Sequence, residues 1–385
     1  MKTLILLKNK LKFFVFRLYS FLFYCFKIKE NRIVFNNFDG KAYGDNPKYI
    51  AEELIKYGKE LDLVWLVLTK KMYVPSSLRK VNFRSPLAAY MLSTAKIIIN
   101  DVKCPLPFKK KKGQLYIQTW HGSVGLKYIE GDAEDKLDKE YIEHSKKESS
   151  LIDLMISGSR LQTEEYRRAF WYKGDILECG LPRNDILFVS EKAEEIKKRL
   201  RIPDETRVAL YAPTFRDDKS TDGFSISFDT VLDTLEKKTN TKWMFLVKFH
   251  PNEMHNILQN ESEKVVNVSL YPDIQELLLI SDILLTDYSS SMLDYMIMKK
   301  PIFLIGLDIE KYQNSRGLKP LYFELPFSRS KTNEELIRHI STFDEDQYKN
   351  KLESFMAVYS SYDDGMASAS VAYKIFDYLD NNQLK

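Results

Sequence analysis

The sequence predicts an α/β protein of two doubly wound, Rossmann-like domains facing each other across a cleft, with an N-terminal amphipathic helix. Three observations point there. From residue 30 onward, short apolar runs alternate with helical patterns, which implies parallel sheets covered by helices on both faces. The scheme repeats on either side of a charged break, Ser190–Arg201, that ends before Ile202-Pro203. The first 29 residues hold seven basic residues and no acidic one, leaving 51 basic and 54 acidic residues in the rest of the 385-residue chain.

The N-terminal segment comes first. Leu4, Leu11, Val15, Leu18, Leu22 and Cys25 recur at helical spacing, and Phe13, Phe14, Phe16, Phe21, Phe23 and Phe26 widen the apolar surface. Its longest uncharged run, Leu18 to Phe26, is nine residues. A spanning helix needs about 20. No A-x-A-like cleavage site follows, which argues against a signal peptide. Residues 1–29 are therefore expected to lie on an anionic membrane surface, making the protein peripheral to the cell membrane on its cytoplasmic side. The competing expectation is a terminal helix docked on the protein's own core.

Strands are expected at Arg32–Asn36, Leu63–Leu68, Lys96–Asn100, Leu115–Thr119, Leu154–Ser157 and Ile176–Cys179, with helices at Pro47–Tyr57, Pro86–Thr94 and Gln162–Phe170 between them. In the second half, strands are expected at Val208–Ala212, Trp243–Phe249, Val265–Asn267, Ile283–Thr286 and Pro301–Leu304. Its helices are expected at Phe228–Lys238, Ile274–Ile280, Ser291–Met298, Thr332–Ser341 and Glu345–Tyr359. The expected domains are 30–189 and 206–362, with 190–205 as linker. Residues 363–385 form a final helix that packs back on the first domain.

Composition excludes several classes. A 44% hydrophobic content rules out global disorder. Cys25, Cys104 and Cys179 are far apart, which fits a reducing compartment and no zinc ribbon. A net charge of +4 does not suggest nucleic acid. GxGxxG, GxxxxGK[ST], HExxH and CxxC patterns are absent, so no cofactor and no metal cage are expected.

Chemistry in such sheets belongs at the carboxyl ends of strands. Two of the five histidines sit there: His121 in Trp120-His121-Gly122-Ser123, and His250 before Pro251. A group titrating near neutrality suits proton transfer, so both are candidate catalytic residues. A core or turn histidine is the bland alternative. Thr286-Asp287-Tyr288-Ser289-Ser290-Ser291 ends a strand and opens a helix, where free N–H groups and hydroxyls suit a phosphate. Simple N-capping needs only one such residue. Arg216, ending Ala212-Pro213-Thr214-Phe215-Arg216, has the fork to hold a diphosphate, unless Asp217 or Asp218 pairs with it. Arg183 in Gly180–Asp185, and Asp364-Gly365 before the last helix, complete the candidate binding residues.

Taken in order, Trp120-His121-Gly122, Ala212–Arg216, Lys248-Phe249-His250-Pro251, and Thr286–Ser290 with Asp294 and Lys300-Pro301-Ile302 resemble the CDP-glycerol glycerophosphotransferase family of Gram-positive teichoic-acid synthesis. The resemblance runs from about Arg32 to Leu379. It implies a GT-B-like fold and transfer of glycerol phosphate from CDP-glycerol to a hydroxyl of a lipid-linked saccharide or polymer acceptor, releasing CMP. It implies that His121 is the base, that His250, Ser289 and Ser290 contact the diphosphate, and that Arg216 and Asp287 fill the family's basic and acidic positions. The related activities it leaves open are CDP-ribitol phosphotransfer and nucleotide-sugar glycosyl transfer. The chain departs from the family at Ser123-Val124-Gly125, at Phe215 and at Ser370, where the family often has Thr-Pro, Trp and Arg. Its short basic N-terminal segment resembles a primase or single-addition enzyme more than a long polymerase.

Overall fold

The structure is a computed structural model that describes residues 15–103, 109–216, 226–249 and 262–383. Two parallel sheets organise it. The first joins β1 (Lys29–Asn36), β2 (Asp62–Val67), β3 (Arg79–Asn82), β4 (Ala95–Asn100), β5 (Leu115–Gln118), β6 (Leu154–Ser157) and β7 (Asp175–Glu178) in the order β3-β2-β1-β4-β5-β6-β7. The second joins β8 (Thr206–Tyr211), β9 (Lys242–Val247), β10 (Val265–Asn267), β11 (Ile283–Thr286), β12 (Ile302–Ile305) and β13 (Ser328–Ser330) in the order β10-β9-β8-β11-β12-β13. Central strands are apolar on both faces because helices cover both: Ile33, Val34 and Phe35 of β1 and Ile97, Ile98 and Ile99 of β4 are all fully buried.

The chain divides into two compact units. The first takes residues up to His121, then Glu130–Asp185, then Tyr362 onward; the second takes Gly122–Ile129 and Ile186–Ser361. One face of the first sheet packs on the helices Asp45–Lys56 and Ala367–Gln383, so Val371, Ala372 and Ile375 share a core with Phe35, Ile50 and Trp65. The other face packs on the helix Pro86–Thr94, started by Pro86 and capped by Ser85, whose side chain accepts from the Ala88 N–H. In the second unit, the helices Phe228–Thr239 and Asn333–Ser341 cover Tyr211, Phe245, Leu285 and Phe303.

The division differs from the sequence expectation in two places. Residues 122–129 leave the first unit because they are bonded into the second: Ser123 Oγ donates to Asp294 Oδ1 at 2.6 Å, and Lys319 N to Leu126 O at 2.9 Å. The stretch 190–205 is no loose linker. Its helix Glu191–Arg199 belongs to the second unit, where Arg199 pairs with Glu276 and donates to Tyr271 Oη at 2.6 Å.

Residues 15–22 are helical. Phe16 is buried in the first unit's core, and Phe23 meets Tyr90 edge-on. Leu18, Phe21, Leu22 and Phe26 are exposed. Residues 1–14 lie outside the described residues. Among the described residues, no helix is long and apolar enough to cross a membrane.

Candidate active site

In each sheet the strand order reverses once, between β1 and β4 and between β8 and β11, and ligands of open α/β sheets bind at such points. In the first unit the loops there are well bonded. Phe38 and Asp39 after β1, and Asp45 at the next helix start, have φ of 44°, 58° and 52°, a costly left-handed conformation for non-glycine residues. The Phe38 N–H donates to Asp101 Oδ1 at 2.9 Å, and Asn37 Nδ2 donates to Asp101 Oδ2. Burial, reinforced by the nearby Asp45 charge, pushes the Asp101 carboxyl well above its usual range despite these bonds.

His121 stands three residues past β5, after a left-handed turn at Trp120 (φ 54°). Its Nδ1 lies 2.7 Å from the Asp101 backbone oxygen. The rings of Phe38 and Trp120 sit 5.2 and 4.2 Å from its centroid. Arg183 Nη1 donates to the His121 carbonyl at 3.0 Å and to Asp45 Oδ2 at 3.1 Å. Asn46 ties the cluster together: its Nδ2 donates to the Trp120 carbonyl, and its Oδ1 accepts from the Arg183 N–H, both at 3.1 Å. Burial lowers the His121 pKa; the Asp101 carbonyl and Asp45 oppose this, and Arg183 adds to it. The imidazole is thus held neutral while keeping some exposure to solvent.

In the second unit, Asp287 is buried at the end of β11 and accepts from the Thr214 and Tyr288 N–H groups at 2.8 and 2.5 Å. Ser289 Oγ lies 2.9 Å from Ser291 Oγ, and Ser290 begins the short helix Ser291–Tyr295. Ser289 and Ser290 keep partial exposure. Gly122 backs onto this turn: a Cβ there would come within 3.2 Å of Ser290 Oγ.

Several expected ligands are engaged otherwise. Arg216 does not present a free fork. Its Nε and Nη2 donate to Asp308 at 2.6 and 2.9 Å, Nη2 also to Asp287 at 2.7 Å, and Nη1 to the Thr214 carbonyl at 2.6 Å. Burial works against its charge, but the Asp287 and Asp308 carboxylates outweigh it and hold the pKa above the ordinary value. Asp294 is buried and holds Ser123, and Arg183 holds the loop at His121. Asp364 and Gly365 lie in the first unit, where the Asp364 carboxylate accepts from Met366 N at 2.9 Å. Their neighbour Asp363 accepts from Leu181 N at 2.8 Å. His250 and Pro251 lie outside the described residues.

Asp45, Asn46, Asp101 and Asp308 were not singled out from sequence. Asp101 and Asp308 carry the same signal as His121, a polar residue just past an apolar strand; Asp45 and Asn46 open a helix and carry none.

This architecture defines an α/β protein built on two parallel sheets, and sequence comparison makes the assignment sharper. Residues 18–377 match CDP-Glycerol:Poly(glycerophosphate) glycerophosphotransferase, and the chain belongs to that family. It is 35% identical over 361 residues to the teichoic acid poly(glycerol phosphate) polymerase of Staphylococcus epidermidis, covering 89% of this chain and 50% of that protein. The chain thus spans about half the length of that relative. It is 33% identical over 372 residues to the teichoic acid glycerol-phosphate transferase of Staphylococcus aureus, covering 90% of this chain and 93% of the relative. A solved structure of the wall teichoic acid polymerase TagF superposes with a TM-score of 0.85 at 34% identity, covering 100% of this chain and 98% of that one.

Proposed function

We propose that this chain transfers glycerol phosphate from CDP-glycerol to a hydroxyl of a teichoic-acid-type acceptor. The acceptor oxygen attacks the glycerol-bearing phosphorus, the bond to the bridging oxygen breaks, and CMP leaves with that electron pair. Family membership supports the donor, and one TagF structure was obtained after soaking with CDPG.

The observation that carries the mechanism is the bond between His121 and the Asp101 carbonyl, 2.7 Å long. A carbonyl oxygen only accepts, so Nδ1 carries a hydrogen, and in the neutral ring that burial favours Nε2 keeps a lone pair. A neutral imidazole with a free Nε2 is the form that takes a proton from an attacking hydroxyl. The reading assigns diphosphate binding to Ser289, Ser290 and the N–H groups of their turn, with His250 contributing as the family motif implies. Stabilising the charge on the departing CMP is the larger part of such catalysis.

The reading also puts the protein at a membrane surface, where a lipid-linked acceptor resides. Support comes from the helix at 15–22. Phe16 and Ser20 are buried, while Phe21 is 74% and Leu22 51% exposed beside the exposed Arg17, Lys27 and Lys29. Lys109 adds charge next to this segment, 4.5 Å from the Tyr24 ring.

The test is a panel of CDP-glycerol, CDP-ribitol and a nucleotide sugar with a lipid-linked disaccharide, scored by product mass. CMP release with a glycerol-phosphate mass gain is expected. A ribitol-phosphate gain, or release of a nucleoside diphosphate, would overturn the assignment.

A further inference from the structure

Three loops of the second unit leave the sheet side by side: 212–216 after β8, 287–291 after β11, and 306–308 after β12. One buried guanidinium joins all three. Arg216 reaches the Thr214 carbonyl in its own loop, Asp287 in the next and Asp308 in the third. Side chains of Arg216, Asp287 and Asp308 are only 4, 1 and 6% exposed. The Tyr288 and Tyr312 rings, stacked at 3.9 Å, lie 5.0 and 4.9 Å from the guanidinium carbon, and Tyr288 Oη donates to Asp308 Oδ1 at 3.0 Å.

Such a triad is a poor way to gain stability, since apolar side chains of similar volume fill a core at least as well. It is also electrostatically odd. Two carboxylates against one guanidinium leave net negative charge near a turn assigned to an anionic donor. What the triad supplies is geometry: a fork whose bonds fix direction as well as distance. We propose that Asp308 is a positioning residue of the donor site, which holds the Ser289–Ser291 turn and the 212–216 loop in register without touching substrate. It acts through Arg216 on one loop and through Tyr288 on the other. The proposal rests on the reading of that turn as the CDP-glycerol site.

The test is steady-state kinetics of the full chain, with CDP-glycerol binding measured by calorimetry and folding followed by thermal melting. Asp308→Asn is expected to raise KM for CDP-glycerol and weaken its binding by about tenfold to a hundredfold, the usual effect of losing a charged hydrogen bond. The acceptor KM should stay unchanged, and Asp308→Glu should recover much of the loss. Tyr288→Phe, which deletes one hydroxyl, should give a smaller shift of the same kind and serves if Asp308→Asn does not fold. Unchanged donor binding in the folded variants overturns the proposal. So does an equal loss for donor and acceptor, which is the mark of a merely structural residue. If the wild-type protein itself binds no CDP-glycerol, the donor reading fails and takes this proposal with it; normal wild-type binding confines any failure to Asp308.

Discussion

The Nδ1 atom of His121 points at the backbone oxygen of Asp101, 2.7 Å away, rather than at a carboxylate. A carboxylate partner would favour the imidazolium more strongly than a carbonyl, which orients the ring while burial, the largest influence, keeps it neutral. Removing the ring should therefore remove the base and little else. His121→Ala is expected to lower kcat by about 10²–10⁴-fold. CDP-glycerol affinity, measured by calorimetry, should stay within error.

The same burial sets a pH dependence. The His121 pKa is lowered from the ordinary 6.5, so the base remains available on mildly acidic ground. The acid limb of kcat/KM should fall below pH 6.5, with Asp45 and Glu130 limiting the shift and Arg183 adding to it. For stability the sign follows from linkage. Between the folded pKa and 6.5 the unfolded chain binds the proton and the native chain does not, so this contribution is lost as pH falls. A limb above 6.5 would contradict the assignment.

Asp101 behaves in the opposite sense. Its carboxyl is raised well above 3.8, so the native state holds a proton that the unfolded state releases, and its contribution fades as pH rises through the folded pKa. At a pH below that folded pKa an amide is then a fair substitute. Asp101→Asn should cost no more than about 1 kcal/mol in urea unfolding, less than the usual price of breaking a buried charged pair. A loss several times larger would mean that the ionised carboxylate is required.

Arg216 is the contrasting case. Arg216→Met leaves the buried Asp287 and Asp308 without their cation, and should destabilise by about 3–5 kcal/mol in urea titrations. Arg216→Lys should recover little, because an ammonium lacks the planar fork that serves Asp308 with two bonds. Full stability in Arg216→Lys would show that charge alone suffices.

The two sides of the helix at 15–22 predict separate effects. Phe21→Ser with Leu22→Ser should weaken sedimentation with anionic vesicles while leaving the melting temperature unchanged, since both side chains are exposed. High salt should act in the same direction. Phe16→Ala should do the reverse, lowering stability by about 3–5 kcal/mol. Undiminished vesicle binding after loss of Phe21 and Leu22 would remove the membrane assignment.

Much of the scaffold was legible because buried parallel strands are written as unbroken apolar runs, such as Ile97-Ile98-Ile99 and Ile283-Leu284-Leu285. The edge strands β3 and β13 were not, since each buries a single side chain, Val81 or Ser330, and otherwise reads as loop. The charged run at 190–201 resembled a junction for a similar reason. Its helix buries only Ile196. At the site, residue type and strand-end position pointed to His121 and the serine turn. Partner choice was out of reach. An arginine after a strand looks the same whether it waits for a phosphate or is claimed by carboxylates 71 and 92 positions further on. Sequence order carries no record of which loops adjoin once the sheet has formed.

The helix Ala367–Gln383 supplies Val371, Ala372 and Ile375 to the core beneath β1 and β2. β1 and β2 thus lack part of their hydrophobic cover until the second unit has been translated and the ribosome exit tunnel has released the helix that follows it. While the intervening unit is being synthesised, one face of the nascent sheet stays open to water and to chaperones. Early termination anywhere before that helix should therefore damage the first unit, far from the missing residues in sequence.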